Sequence, residues 1–224
     1  MRRVAVALVM SLLCGVAGVA GSSRPVLTKT EIQRAEQWLK DLGYWTGPVD
    51  GVWDGASSHA LIAFQKLEKA RPTGRLTRAE YNALSVAAPH QPRELAGGMH
   101  VEVDIARQVL FLVDADGKVG NIVPISTGSG KRFKEPGYPA AVAVTPCARL
   151  EVYQKISGWR KSPLGVMYNP LYVVGGIAIH GSPDVPPYPA SHGCIRIPMY
   201  ASQILPRMVP VGTPVLIYGC GGGL

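Results

Sequence analysis

This chain is short of several things that would give it an obvious role. No run of Lys or Arg exceeds two residues, and the aromatic side chains, 7% of the total, do not interleave with basic ones. A net charge of +8 therefore does not read as a nucleic-acid surface. No tract is of low complexity, and 47% apolar against 17% charged residues can bury a core. Beyond the first twenty residues no apolar stretch is long enough to cross a bilayer. Cysteines number four in 224 residues, with no Cys-x-x-Cys. That spacing disfavours a zinc site and leaves no resolving partner beside any one thiol for disulfide exchange.

Residues 1–21 stand apart from the rest. Arg2 and Arg3 form a basic start, Val4 to Leu13 an apolar core, and Gly15 to Gly21 a run of small residues. That is the layout of a secretory signal peptide, cleaved after Ala20 or Gly21, and it is short for a membrane anchor. Cys14 raises the question of lipidation, but Leu13 before it is large for that signal. Cleavage removes two arginines and no acid, taking the net charge from +8 to +6. The mature protein is expected in the cell wall or periplasmic space, as a monomer. Its charge suits anionic wall polymers or headgroups and equally serves solubility. Export also permits disulfides. If Cys194 is a free nucleophile, Cys147 and Cys220 are left to pair or to stand as separate buried thiols.

The mature chain changes character once. Thr30-x-x-Gln33 fits a capping box, and Ile32, Ala35, Trp38, Leu39 and Leu42 recur at helical spacing before Gly43 stops the helix. Turns follow at Gly47-Pro48 and Asp50-Gly51. Ser57 or Ser58 caps a second helix with Ala60, Leu61, Phe64 and Leu67 on its apolar face. Thr77-x-x-Glu80 caps a third, with Tyr81 and Leu84 inward. Residues 87–98, with two prolines and a Gly-Gly pair, read as a linker in which His90 is solvated, as is His100 just beyond.

From His100 the period becomes two. Val101, Val103 and Ile105 alternate with polar residues, Val109 to Val113 is an almost unbroken apolar run, and Asp116-Gly117 turns the chain into Val119 to Ile125. Val142 to Val144, Leu150 to Tyr153, Tyr172 to Val174, Ile177 to Ile179 and Val215 to Tyr218 are further strands, with one helix over Tyr200 to Met208. The expected fold is multidomain: a small three-helix N-terminal domain, then a mainly-β sandwich or partly closed barrel over residues 99–219.

The chemistry concentrates in Ser191-His192-Gly193-Cys194-Ile195-Arg196 and in His180, at the end of a buried-looking strand. A thiolate is the reactive form of cysteine, and a nearby imidazole can take its proton and later return it to a leaving amine. Four prolines between His180 and Ser191 (Pro183, Pro186, Pro187, Pro189) stiffen the connecting loop, which matters because a misplaced nucleophile loses orders of magnitude in rate. The backbone N–H groups of Gly193 and Cys194 can turn toward a developing oxyanion.

Two resemblances follow from these residues. Leu42-Gly43-Tyr44-Trp45, Gly47-Pro48-Val49-Asp50-Gly51 and Ala60 with Phe64-Gln65 make residues 28–86 similar to the peptidoglycan-binding domain 1 family. Asp54-Gly55-Ala56-Ser57 and the shortened Ala70 to Gly74 stretch depart from its pattern. Asp50 and Tyr44 either contact a ligand or hold the turn. His180-Gly181 with Ser191 to Arg196, together with Ile125-Ser126-Thr127-Gly128, Gly175 to Gly181 and Val211 to Val215, resembles the L,D-transpeptidases (YkuD domain) over about residues 98–218.

The second resemblance implies Cys194 as acyl-accepting nucleophile and His180 as base. It implies a carbonyl at Gly181 to orient the imidazole, and His192 on the oxyanion side. Ser191 and Arg196 support the loop or meet a substrate carboxylate, and Met167 and Tyr168 form a lid over the donor or simply pack. Thr145-Pro146-Cys147-Ala148 replaces the family's Thr-Pro-x-Gly, placing Cys147 where a bridge to Cys220 could substitute. The implied reaction is a 3→3 cross-link between peptidoglycan stem peptides through a thioester, with D-Ala released. It needs no cofactor or metal, is inhibited by carbapenems, and contributes to wall organisation and cell shape. The partners are stem peptides and glycan strands. Hydrolysis to give an L,D-carboxypeptidase, and a non-catalytic wall-binding protein, are the competing readings.

Overall fold

The computed structural model describes residues 26–94, 98–137 and 139–221; the expected signal peptide and Cys14 lie outside them. Among the described residues three helices come first, each started by a side chain that satisfies orphan amides. Helix α1 (Lys29–Asp41) is capped by Thr28, whose reciprocal partner is Glu31, so the box lies two residues before the expected Thr30–Gln33 pair. Helix α2 (Gly55–Leu67) is capped by Asp54, which accepts from the Ser57 amide. Ser57 is thereby freed to donate to the buried Glu36 carboxylate at 3.0 Å. Helix α3 (Arg78–Leu84) has the expected Thr77–Glu80 box. Gly43 ends the first segment at φ +88°, with the Val119 carbonyl 3.0 Å from where a Cβ would sit.

Glu36 also accepts from the Asp50 and Gly51 amides (3.1 and 2.9 Å), and Asp50 caps the Val52 amide at 2.9 Å. Asp50 holds the turn. Tyr44 is buried edge-on against Phe64, where it packs the helical core.

Twelve strands and one more helix follow: β1 (His100–Asp104), β2 (Val109–Val113), β3 (Val119–Pro124), β4 (Arg132–Phe133), β5 (Ala141–Val142), β6 (Ala148–Glu151), β7 (Gln154–Lys155), β8 (Trp159–Ser162), β9 (Gly165–Val174), β10 (Ile177–Ser182), β11 (Ile195–Pro198), α4 (Met199–Met208) and β12 (Pro214–Tyr218). One sheet has the order β3-β2-β1-β12-β6; a second runs β11-β10-β9-β7, with β8 pairing on β9. The sheets face each other and do not close, so the sandwich alternative holds and the partly closed barrel does not. The inner core joins Val101, Val103, Leu110, Leu112, Val215 and Ile217 to Leu171, Ile179, Ile195 and Ile197, with Leu205 of α4 against them.

The unbroken apolar run of β2 has a specific cause. Leu110 and Leu112 face the sandwich, while Val109, Phe111 and Val113 face a second core with Leu39, Leu61, Phe64 and Leu67 of the helices. Strand residues alternate faces, so apolar side chains at every position mean both faces are covered. The helices also join the first sheet by backbone: Ile122 N donates to Gly43 O and Trp45 N to Ile122 O. The stretch after the helices is likewise not a free linker. The Arg93 and Glu94 amides donate to the buried Glu102 carboxylate at 2.9 and 2.8 Å. His100 is buried beside that carboxylate at 3.2 Å rather than solvated, because β1 carries it inside. Cys147 and Cys220 form a disulfide, tying the segment before β6 to the end of β12. No helix among the described residues is long and apolar enough to cross a membrane.

Candidate active site

Strand register builds the site. In the parallel β10–β11 pair, Ile179 faces Ile195 and His180 faces Arg196. Ile179, Ile195 and Ile197 point into the sandwich, so Ala178, His180, Cys194 and Arg196 share the opposite face. That face floors a cleft of about 630 Å³, walled by Phe133 after β3, by the β8–β9 hairpin, and by His192.

His180 is buried, 5% exposed, and its Nδ1 lies 2.9 Å from the Gly181 carbonyl. A carbonyl only accepts, so the proton sits on Nδ1 and the lone pair is on Nε2. Gly181 has no room for a side chain: a Cβ would lie 2.7 Å from Ser202 Cβ in α4 and closer still to its hydroxyl. Burial, aided by the Arg196 cation and opposed by the Gly181 carbonyl, lowers the His180 pKa to about 4. Among the described residues Cys194 is the one free cysteine, and its sulfur lies 3.7 Å from the Gly176 carbonyl. Burial pushes the thiol up, opposed by the Ala178 backbone and by Arg196. The resting pair is therefore a neutral imidazole and a neutral thiol.

The loop before Cys194 is fixed on both sides. Ser191 Oγ donates to Cys194 O at 2.6 Å and accepts from Gly193 N at 3.0 Å. Thr145 Oγ1 donates to Gly193 O at 2.7 Å and accepts from Gly128 N at 2.9 Å. Gly193 sits at φ +137° with the Val144 carbonyl 3.0 Å from a would-be Cβ, which only glycine tolerates. The Gly193 amide, for which an oxyanion role was expected, thus donates to Ser191 in this structure. His192 is exposed on the cleft wall, its ring edge-on to Phe133 at 4.8 Å. Arg196 reaches Asp184 Oδ2 at 3.4 Å, a loose pair across the Pro-rich loop.

The expected lid residues separate. Met167 is buried at the cleft, whereas Tyr168 stacks on Trp159 at 5.0 Å on the reverse side of the hairpin. Adjacent strand residues point to opposite faces, and a bulge decides which of the two meets the cleft. Ile179 pairs with Leu171, but Gly181, two residues on, pairs with Tyr168, three back, so one extra residue on β9 exchanges the faces. Asn169 sits there at φ +47°, held by Gly158 N and Ser202 O. Thr145, Phe133 and Gly176 were not singled out from sequence. The Thr145-Pro146 pair read as a turn, and Gly176 stood only as part of the Gly175 to Gly181 stretch.

Comparison with known proteins identifies the domains. The L,D-transpeptidase catalytic domain (YkuD) matches residues 98–217, and a peptidoglycan binding domain matches residues 28–84. The crystal structure of the L,D-transpeptidase from Xylanimonas cellulosilytica is 37% identical, with a TM-score of 0.77 over 84% of this chain and 93% of that one. That coverage exceeds residues 98–217, so the shared arrangement extends into the helices. An L,D-transpeptidase (Yku) from Stackebrandtia nassauensis is 19% identical over 84% of this chain and 90% of that one, at a TM-score of 0.48. The localization factor PodJL of Caulobacter vibrioides is 36% identical over 67 residues, 30% of this chain; the match spans 7% of that protein's length.

Proposed function

The chain belongs to the L,D-transpeptidase (YkuD) family and carries a peptidoglycan-binding domain ahead of the catalytic one, and on that premise we propose that Cys194 is an acyl-transfer nucleophile acting on peptidoglycan stem peptides, with His180 as its base. The observation that carries this reading is that one sheet face presents the free thiol and an imidazole whose lone pair is forced onto Nε2 by the Gly181 carbonyl.

The thiol proton passes to His180 as Sγ attacks the carbonyl of the third stem residue. A C–S bond forms, the C–N bond to D-Ala breaks, and His180 returns the proton to the departing amine. A side-chain amine of a second stem then attacks the thioester: a C–N bond forms, the C–S bond breaks, and the amine proton passes through His180 to the departing sulfur, regenerating the thiol. One amide is broken and one made, so no external energy source is needed. With the Gly193 amide occupied, the Cys194 amide and His192 are the donors left beside the oxyanion. Arg196, tied only loosely to the exposed Asp184, is available to a substrate carboxylate. The enzyme acts after export, in the wall or periplasmic space.

The test is incubation with disaccharide-tetrapeptide and mass analysis of products. A 3→3 linked dimer with released D-Ala is expected, with Cys194→Ala inactive. Trimmed tripeptide without dimer would make the enzyme an L,D-carboxypeptidase. Unchanged product formation by Cys194→Ala would refute the nucleophile.

A further inference from the structure

Lys66 is a buried cation that the chemistry above does not use. It belongs to α2, in the peptidoglycan-binding part of the chain, and is 8% exposed. Its ammonium crosses the boundary into the catalytic part and donates to the Gln108 carbonyl at 2.9 Å and the Ile125 carbonyl at 3.1 Å. Burial alone lowers its pKa, to about 7. A methionine would be cheaper to bury but would leave two carbonyls with one donor fewer each.

Those two carbonyls open a continuous set of contacts. Gln108 sits at φ +56°, a conformation that a non-glycine residue adopts only when its surroundings hold it there. Its side chain accepts from Thr127 N at 2.9 Å and donates to Thr127 Oγ1 at 2.7 Å. Ser126 and Arg196 exchange backbone hydrogen bonds at 3.1 and 3.0 Å. The Thr127 carbonyl accepts from the Ala190 and Ser191 amides, both at 2.9 Å. Ser191 then holds both Gly193 and Cys194. Lys66, Gln108, Ser126, Thr127 and Ser191 are all buried, so no water substitutes readily along the way.

We propose that Lys66 is a positioning residue for the nucleophile: by fixing the Gln108 and Ile125 carbonyls it anchors the Ser126–Thr127 segment on which the Ser191–Cys194 loop is hung. The peptidoglycan-binding part therefore supports the reaction centre as well as any ligand of its own. The proposal rests on Cys194 being the nucleophile.

The test is acylation of the full chain by a carbapenem, followed by intact mass. The first-order rate constant at saturating drug is read separately from the fraction of protein that reacts. Lys66→Met keeps the stem and removes the donors, and its rate constant is expected to fall about tenfold or more. Phe64→Leu, in the same helix and buried in the same outer core, controls for softening. It should lower the melting temperature and the reactive fraction while leaving the rate constant within about twofold. Equal rate constants for wild type and Lys66→Met would overturn the proposal, as would Phe64→Leu slowed as much as Lys66→Met. Should Lys66→Met not fold, Thr127→Val cuts the next link, with the same expectation and the same refutation. No adduct on wild type, or one that persists in Cys194→Ala, would instead remove the nucleophile on which the proposal stands.

Discussion

The acid limb of the acylation rate is a direct test of the site's electrostatics. His180 must be neutral to accept a proton, and its pKa is held at about 4 by burial, with Arg196 adding to the effect. At pH 5 about 90% of the imidazole is then neutral, whereas a solvated histidine of pKa ~6.5 would be only ~3% neutral. Acylation at pH 5 should accordingly keep about nine-tenths of its pH 7 rate. The assay is the carbapenem acylation rate constant from pH 4 to 8, measured on protein whose reactive fraction is known. Two results would refute the reasoning. A midpoint near 6.5 would mean that burial does not depress the histidine. A tenfold rise per pH unit from 5 to 8 would mean that a pre-formed thiolate, not a thiol–imidazole pair, is the reacting species. Stability follows the same pKa. The folded value lies below the unfolded one, so the His180 contribution to stability is whole above about 6.5 and falls as the pH drops toward 4, by roughly 3 kcal/mol over that window. Replacing His180 with Asn should flatten that part of the urea-midpoint profile.

Three further outcomes are expected. Arg196→Gln removes a cation that lowers both the His180 and the Cys194 pKa, so the acid limb of acylation should move to higher pH; an unmoved limb would show that Arg196 acts only as a loop tie. Gly181→Ala should cost more than about 3 kcal/mol because Ser202 occupies the space, and Ser202→Gly in the same chain should recover much of it in chemical denaturation. Breaking the Cys147–Cys220 bridge frees a loop with a sequence separation of 73, worth up to about 4 kcal/mol by chain entropy; urea unfolding of Cys147→Ser/Cys220→Ser should show a lower midpoint, and an unshifted one would count against the bridge.

Much of this site was legible from residue identity. His180 lies at the strand end where the sequence put it, and β10 and β11 set it beside Arg196, two residues after Cys194. Helix faces were legible too, since Ala60, Leu61, Phe64 and Leu67 can bury together only at helical spacing. Caps were less so: Thr28 and Asp54 outcompete Thr30 and Ser57, because whichever side chain sits just outside the first turn wins the amides. Tyr168 and Met167 were ambiguous for a deeper reason. One bulge at Asn169 exchanges faces, and nothing in a local pattern announces an extra residue. The Gly193–Ser191 hydrogen bond was not legible, because it depends on a loop conformation rather than on a period. The short strands β4, β7 and β8 lack an apolar alternation, being exposed on at least one side.

Strand β2 gives one side to each of two cores, with Phe111 against the helices and Leu110 against the opposing sheet. A binding domain on a flexible tether would swivel, and tension on it would be lost in the tether. Here the boundary is packed and hydrogen-bonded instead. Whatever the helices hold, a pull on them loads β2 and β3 directly. Those strands lie in the sheet opposite the one that holds His180, and β3 runs on into the Ile125–Gly128 segment, which hydrogen-bonds to Arg196 and Ser191, so a load on the helices meets the candidate site through that segment.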